Sequence, residues 1–435
     1  MRAEEVAKVV KGRLRGRGKI ESFEFDSRNI KEGSLFIPLK GNRDGHQFID
    51  DAFKRGASGT LSERAVKVPE GKFLIEVDST FEAFKSIGKW KRENFKGITV
   101  AVTGSVGKTT TKELLNHVFS KFFKTYRNIK SFNNILGVTH TLSNLSLSVE
   151  VYIQELGTNR KGEIPELVDF IKPEISIVTT VEKAHTEGFG NVDEIVEEKL
   201  SITEGTSLSI VPFQFKKLSR SEETITFGRE GDIKLTEINF FPDKTEFIVE
   251  SFGRKIRFLT RVPGYGVVNS TLIAVGLAEV FKIDILELPE QVRTFTPPEM
   301  RLRIEKLNGV ILIDDAYNAN PKSMENAIKV LSLQELPKVA IIGEMLELGK
   351  ESKEEHEKVG ELLKLTGVET LIAYGKETEY TFKVFEGIKF HFTSRKEFIK
   401  FINKYSFSGK AVLVKGSRGN QLEEVTKIIR QRYKS

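Results

Sequence analysis

Cysteine is absent from the 435 residues, which excludes a disulfide framework, a zinc–thiolate site and a thiol nucleophile. No apolar run approaches the roughly 20 residues that a helix needs to cross a bilayer. The opening Met-Arg-Ala-Glu-Glu-Val carries acids early and lacks the basic-then-apolar layout of a signal peptide. Internal repeats and low-complexity segments are missing as well. A reducing cytoplasm is the expected location. Nor is charge gathered into tracts: the net charge is +7, with Lys and Arg spread along the chain. That balance could favour nucleotides or nucleic acid, yet no basic stripe or recognition module stands out.

What is present is an ordinary globular balance, 39% hydrophobic and 30% charged, in a chain too long for one core; two to four domains are expected. In the first part, Glu24 to Ser27, Ser34 to Leu39 and Lys72 to Val77 read as strands, and Ala52 to Arg55 and Thr80 to Asn94 as helices. Phe81, Phe84, Ile87 and Trp90 give the second helix an apolar face. Next, Ile98 to Val102 is a short β-branched run. A glycine turn and a helical pattern from Thr109 to Phe123 follow it. Val149 to Gln154 and Ile175 to Thr180 are further buried-strand candidates, and this alternation predicts a parallel sheet with helices on both faces. Period-two patterning from Asp232 to Thr260, around Ser251-Phe252-Gly253, predicts an antiparallel hairpin. A helix from Leu272 to Phe281 follows Val262-Pro263-Gly264. Pro297-Pro298 marks a linker. Beyond it, strands are expected at Val310 to Ile313, Val339 to Ile342, Thr370 to Ala373 and Ala411 to Val414, all but the last followed by helices. Asn320-Pro321 fits a helix cap with proline at the first helical position, and Ser352 with Glu355 fits a capping box. The fold class is therefore α/β in three domains. Residues 1–95 form a small α/β domain, 96–296 a central P-loop parallel-sheet ATPase domain, and 297–435 a Rossmann-like domain.

The strongest chemical signal is Thr103-Gly104-Ser105-Val106-Gly107-Lys108-Thr109-Thr110 between an apolar strand and a helix. Glycines let backbone N–H groups close around phosphate oxygens, and a helix N-terminus adds a favourable dipole. Lys108 would neutralise β/γ-phosphate charge and the Thr109 hydroxyl would ligate Mg²⁺. The general P-loop spacing wants glycine at Val102; here the first glycine is Gly104, and the loop is shorter. A nucleoside triphosphate site is expected.

A shortened loop of the form T-G-[S/T]-x-G-K-[S/T]-[T/S] resembles the Mur ligases and folylpolyglutamate synthases. Asp314-Asp315-Ala316-Tyr317-Asn318-Ala319-Asn320-Pro321 with Ser323-Met324 is similar to the signature of the Mur branch that adds D-alanyl-D-alanine. Supporting segments are Asp26-Ser27-Arg28, Asp44-Gly45-His46, Asn133-Asn134 before Gly137, and Glu155-Leu156-Gly157. Ala184-His185, Gly343-Glu344-Met345 and Lys415-Gly416-Ser417-Arg418 complete an ordered set through all three domains.

This resemblance implies an ADP-forming amide ligase of peptidoglycan precursor synthesis. Its partners would be ATP, Mg²⁺, UDP-N-acetylmuramoyl-tripeptide and D-alanyl-D-alanine, the tripeptide ending in lysine or diaminopimelate. It would work as a monomer, with no nucleic acid and no membrane. The resemblance assigns Lys108, Lys199 and His185 to catalysis and Thr109, Glu155, His185 and Lys199 to metal. It assigns Gly104 to Thr110 with Arg301, Asp315 and Asn318 to ATP. Ser27, Arg28, Gly45, His46, Asn134, Tyr317 and Asn320 would face the other substrates. Lys199 stands where relatives carry a carbamylated lysine, although Glu197-Glu198-Lys199-Leu200-Ser201 departs from the usual A-K-x-E. A solvated lysine on a charged helix face is the alternative. Other departures are Thr139-His140 in place of a proline and an apolar residue, Thr186 in place of leucine, and Met300 and Arg303 around Arg301. The adenine-facing asparagine aligns with Ser270, so Asn269 takes that role or the contact differs. Competing readings are a diamino-acid-adding ligase, which would show D-N-P-R, a folylpolyglutamate synthase, and a P-loop ATPase stimulated by nucleic acid.

Overall fold

Short β-branched strands and amphipathic helices alternate through a computed structural model that describes residues 1–181, 192–346 and 348–434. The chain divides into two units. The first holds Met1–Val100, Phe123–Leu156 and Glu166–Pro173, and the second holds Ala101–Phe122, Gly157–Pro165 and Glu174–Ser435.

In the first unit, β1 (Arg13–Arg15), β2 (Ser22–Glu24), β3 (Ser34–Phe36), β4 (Gly59–Ser62) and β5 (Phe73–Glu76) form a sheet in the order β1-β5-β4-β3-β2. Its β1 edge is antiparallel and the other pairings are parallel. The helix Thr80–Asn94 has the expected bounds, capped by the Ser79 hydroxyl. Its Ala83, Phe84 and Ile87 join Leu35, Leu61, Phe73 and Ile75 in one core. The strand expected at 24–27 lies earlier. Asp26 accepts the Arg28 N–H and starts a tight turn over Ser27–Asn29, which ends the extended run. The strand β6 (Ile98–Thr103) begins in this unit and ends in the second. The pair β7 (Thr125–Arg127) and β8 (Val151–Glu155) is parallel.

The second unit continues with β9 (Ile175–Val178), β10 (Leu208–Pro212), β11 (Glu223–Gly228), β12 (Ile233–Phe240), β13 (Thr245–Ser251) and β14 (Arg254–Thr260). They run in the order β14-β13-β12-β11-β10-β9-β6. The expected hairpin is present at β13–β14, its turn made by Phe252 and Gly253, both at positive φ. β12 extends it to an antiparallel three-stranded ribbon. After Gly264 the helix Tyr265–Val280 runs almost wholly buried.

A six-stranded sheet completes this unit: β15 (Arg303–Leu307), β16 (Val310–Asp315), β17 (Lys338–Gly343), β18 (Thr370–Tyr374), β19 (Ile388–Phe392) and β20 (Lys410–Lys415), in the order β15-β16-β20-β17-β18-β19. Successive strand side chains point to opposite faces. Leu312, Ile341 and Val412 pack with Phe398 and Val425, whereas Ile313, Ile342 and Leu413 pack with Met324 and Leu363. Helices thus cover both faces. Sequence patterning found four of these strands and missed both edges; it also missed the helix Glu423–Arg432 after β20. Asn326 Oδ1 accepts the Tyr265 N–H at 2.9 Å and Gln334 Nε2 donates to the Pro242 carbonyl at 2.8 Å, joining this sheet's helices to the preceding segment. Among the described residues no helix is long and apolar enough to cross a membrane.

Two caps test the local rules. Asn320 caps Pro321–Ser332 as expected, its side chain accepting from Ser323 N–H with Pro321 in the first turn. The capping box at Ser352 and Glu355 does not form. Ser352 is the first helical residue, and its hydroxyl lies 2.7 Å from Glu377 Oε2 and 3.3 Å from His356 Nδ1. His356 is buried, accepts the Met345 N–H on Nε2 at 3.1 Å and donates from Nδ1 to the Ser352 carbonyl at 2.7 Å. It is therefore neutral. Burial pushes its pKa down against the opposing pull of the Ser352 carbonyl and of Glu377, Glu344 and Glu355. As pH falls through about 6.5 the unfolded chain takes the proton first, so stability from this site is complete above that pH and declines below it. The urea midpoint should fall more between about pH 7.5 and about pH 5.5 in the native chain than in His356→Gln. Equal falls would remove His356 from the acid response.

Candidate active site

β6 delivers the chain into the glycine turn, and the helix Lys108–Phe119 leaves it. Gly104 has φ 149° and Gly107 φ 87°, backbone conformations that side-chain-bearing residues adopt only with strain. A Cβ on Gly104 would also collide with the Thr179 hydroxyl. The two residues that follow β9 brace the turn from beside it. Thr180 accepts the Ser105 N–H at 2.7 Å, and the Thr179 and Thr180 hydroxyls donate to the Val106 carbonyl at 2.6 and 3.2 Å. Lys108 Nζ lies 2.6 Å from the Gly104 carbonyl, so its charge sits over the turn. Ser105 and Thr109 are buried; Val106, Gly107 and Thr110 are half-buried. The Gly104–Thr110 segment is therefore a strand–turn–helix with Lys108 Nζ held over its turn. Ser270 is buried, its hydroxyl 2.9 Å from Thr111 Oγ1 and donating to Gly266, while neighbouring Asn269 stays half-buried.

Lys199 lies in the last turn of the helix Val192–Leu200 and is only 2% exposed, which rules out the solvated-lysine reading. Its neighbour Glu198 is buried too. Glu198 Oε2 accepts the Gly162 N–H and Oε1 the Ile164 N–H, both at 2.8 Å, with the Thr158 hydroxyl at 3.4 Å. A carboxylate that satisfies two backbone donors of a helix start is a strong anchor. The departure from A-K-x-E thus carries a structural clamp beside the lysine. His185 and Thr186 lie outside the described residues.

Past β16, Asp315 and its loop converge on one lysine. Lys415, at the end of β20, is buried and places Nζ 2.6 Å from Asp315 Oδ2 and 2.9 Å from the Asn318 carbonyl. Asp315 Oδ1 accepts the Leu302 N–H at 2.9 Å. The Arg301 guanidinium lies 4.0 Å from the centre of the Tyr317 ring and that of Arg418 5.8 Å, a cation–π arrangement. Asn318 is exposed. Asn320 spends its side chain on the helix cap. The predicted ATP residues Arg301, Asp315 and Asn318 and the predicted substrate residue Tyr317 are thus gathered in one loop cluster. In the sequence Lys415 stands out only as part of Lys415-Gly416-Ser417-Arg418. A lysine closing the apolar run Ala411 to Val414 was the signal for its role.

In the first unit, Glu155 ends β8, buried, with Asn133 Nδ2 donating to Oε1 at 2.9 Å and its own N–H donating to Asn128. Asn134 caps the helix Ile135–Ser143 through the Gly137 N–H. Ser27 is buried and Arg28 is exposed. Arg28 pairs with both oxygens of Asp26 at 2.8 and 2.6 Å. Gly45 opens a short turn. His46 is buried, with Nδ1 2.7 Å from Asp44 and Nε2 accepting the Glu63 N–H at 3.1 Å. Both of its ring nitrogens are thus engaged within the fold.

The chain belongs to the Mur ligase family, and with it to the ATP-dependent amide ligases. The Mur ligase middle domain matches residues 102–278, and the Mur ligase glutamate ligase domain matches 300–418. The relatives are named more narrowly. A protein of Rickettsia prowazekii, UDP-N-acetylmuramoyl-tripeptide–D-alanyl-D-alanine ligase, is 30% identical, covering 92% of this chain and 93% of its own. The protein of that name from Bacillus subtilis is 29% identical, covering 97% and 96%. Among solved structures, MurF of Acinetobacter baumannii superposes with a TM-score of 0.87 at 26% identity, covering 99% of this chain and 98% of its own. MurF of Thermotoga maritima, solved in complex with ADP, gives 0.82 at 25%, covering 95% and 98%.

Proposed function

We propose that this enzyme joins D-alanyl-D-alanine to UDP-N-acetylmuramoyl-tripeptide at the expense of ATP, giving the pentapeptide precursor of peptidoglycan. The observation that carries the reading is the Gly104–Thr110 turn with Lys108 over it, in the same unit as the Asp315–Lys415 loop cluster. A carboxylate is a poor electrophile. One oxygen of the tripeptide's terminal carboxylate attacks the γ-phosphorus and ADP leaves, forming an acyl phosphate. The amine of D-alanyl-D-alanine then adds to the carbonyl, and phosphate departs with that oxygen as the amine loses a proton. Positioning and charge neutralisation dominate such transfers. Lys108 and the backbone donors of the helix start would hold the triphosphate. Asp315, Asn318 and Arg301 would meet ATP, and Tyr317 and Asn320 the peptide. Ser27, Arg28, Gly45, His46 and Asn134 would meet the nucleotide sugar, with the Arg28 fork suited to diphosphate.

The donors suit Mg²⁺. Among the described residues no group of three or more acids or histidines could hold an ion alone. Mg²⁺ usually binds through one or two carboxylates together with substrate phosphates. We assign Thr109 and Glu155 to one Mg²⁺ and His185 to a second, with Lys199, once carbamylated, a further oxygen donor. Bound there, the ions would spread the charge that accumulates on the transferring phosphoryl group. Lys199 is buried beside the anchored Glu198. The same reading divides the chain at 1–95, 96–296 and 297–435, with a hinge at Pro297-Pro298. It places the protein in the cytoplasm as a monomer that needs neither nucleic acid nor membrane.

The test is substrate dependence. With Mg-ATP, phosphate release should require both the tripeptide nucleotide and D-alanyl-D-alanine and should match the amide product one for one. Release stimulated by DNA or RNA, or independent of either peptide substrate, would overturn the reading.

A further inference from the structure

We propose that His140 is a positioning residue for nucleotide-sugar recognition, acting through Glu24 on the turn that carries Ser27 and Arg28. This rests on the assignment of that turn to the UDP-linked substrate. Glu24 is the last residue of β2, and its Oε1 accepts the N–H groups of both Phe25 and Asp26, at 2.9 and 3.0 Å. Those bonds fix the chain as it leaves the sheet. Its other oxygen faces His140 Nε2 at 3.4 Å. Burial alone would push the Glu24 carboxyl up, but the His140 contact and the two N–H donors outweigh it and hold the group below its ordinary range. Asp26, set by Glu24, then grips the Arg28 N–H and guanidinium. The helix Ile135–Ser143 is thus linked to the arginine fork through Glu24 and Asp26.

Two further observations separate this role from simple filling of space. The helix already holds β2 by another clamp. Asn144 Oδ1 accepts the Phe23 N–H at 3.0 Å and Nδ2 donates to the Phe23 carbonyl at 2.9 Å. Attachment of the strand therefore does not need His140. The imidazole also sits edge-on among the rings of Phe25, Phe84 and Phe132, at 5.5, 6.5 and 5.2 Å between centroids. An apolar side chain would fill such a pocket at less desolvation cost. What a histidine adds there is a polar contact that orients Glu24.

The test is steady-state kinetics on the full-length enzyme with Mg-ATP and D-alanyl-D-alanine, varying UDP-N-acetylmuramoyl-tripeptide. His140→Leu keeps the volume and should raise KM for that substrate about fivefold to tenfold, leaving kcat and the KM for ATP within about twofold. His140→Gln presents an amide N–H near the Nε2 position and should recover most of the affinity. Glu24→Gln, a second variant should the first not fold, should raise the same KM. If Arg28→Ala raises KM while neither His140→Leu nor Glu24→Gln does, His140 has no positioning role. If kcat falls with KM unchanged, the proposal is equally overturned. If Arg28→Ala itself has no effect, the turn does not meet the nucleotide sugar, and this inference falls with that assignment.

Discussion

Lys108→Ala should lower amide-forming turnover by about a thousandfold or more, the scale of losing a principal charge contact to a transferring phosphoryl group. Lys108 is the first residue of its helix, and its Nζ is held over the turn by the Gly104 carbonyl at 2.6 Å. Alanine is the best helix former, so the helix and the urea midpoint should survive the change. The loss should appear in kcat as well as in ATP affinity, because negative charge moves between γ-phosphate and leaving ADP during transfer. Turnover within about tenfold of the native enzyme would place the phosphates elsewhere.

Lys415→Met should damage both stability and rate. Its ammonium is 1% exposed and neutralises Asp315 while holding the Asn318 carbonyl. Removing one partner of a buried ion pair leaves the other charge uncompensated, at a cost of about 3–5 kcal/mol. Asp315 keeps some water contact, its side chain being 15% exposed, and keeps the Leu302 N–H. The lower end, about 3 kcal/mol, is therefore expected. Freed from its anchor, the 315–320 loop should cost about a hundredfold in kcat/KM, the scale of an ångström-level misplacement. Asp315→Asn with Lys415→Met should lose less stability than the two single changes added together. Additive losses would mean that the pair does not act as a unit.

How far these features could be read without coordinates depended on whether their causes were local. The Gly104–Thr110 turn was legible because glycine spacing, a β-branched run and a helical pattern all act within a few residues. The same holds for Asn320-Pro321, where cap and proline agree. Ser352 followed the same local rule and failed, because Glu377 and His356, distant or opposed to capping, took its hydroxyl. The edge strands β15 and β19 were missed since their residues are only partly buried. The charges of Arg303, Glu305 and Lys306 hide the apolar pattern of the first. Buried central strands announce themselves by composition; edges do not. Lys415, Glu198 and His140 share a different difficulty. Each owes its role to partners 34 to 116 positions away in sequence, and no spacing rule reaches that far.

The proposed reaction depends on transfer of the γ-phosphoryl group to the peptide's terminal carboxylate. UDP-N-acetylmuramoyl-tripeptide labelled with oxygen-18 in that carboxylate, incubated with the enzyme, Mg-ATP and D-alanyl-D-alanine, tests it directly by mass spectrometry of the released phosphate. One labelled oxygen should appear in the phosphate for each amide bond formed. Unlabelled phosphate accompanying the amide product would contradict the acyl-phosphate route and the reading of the site built on it.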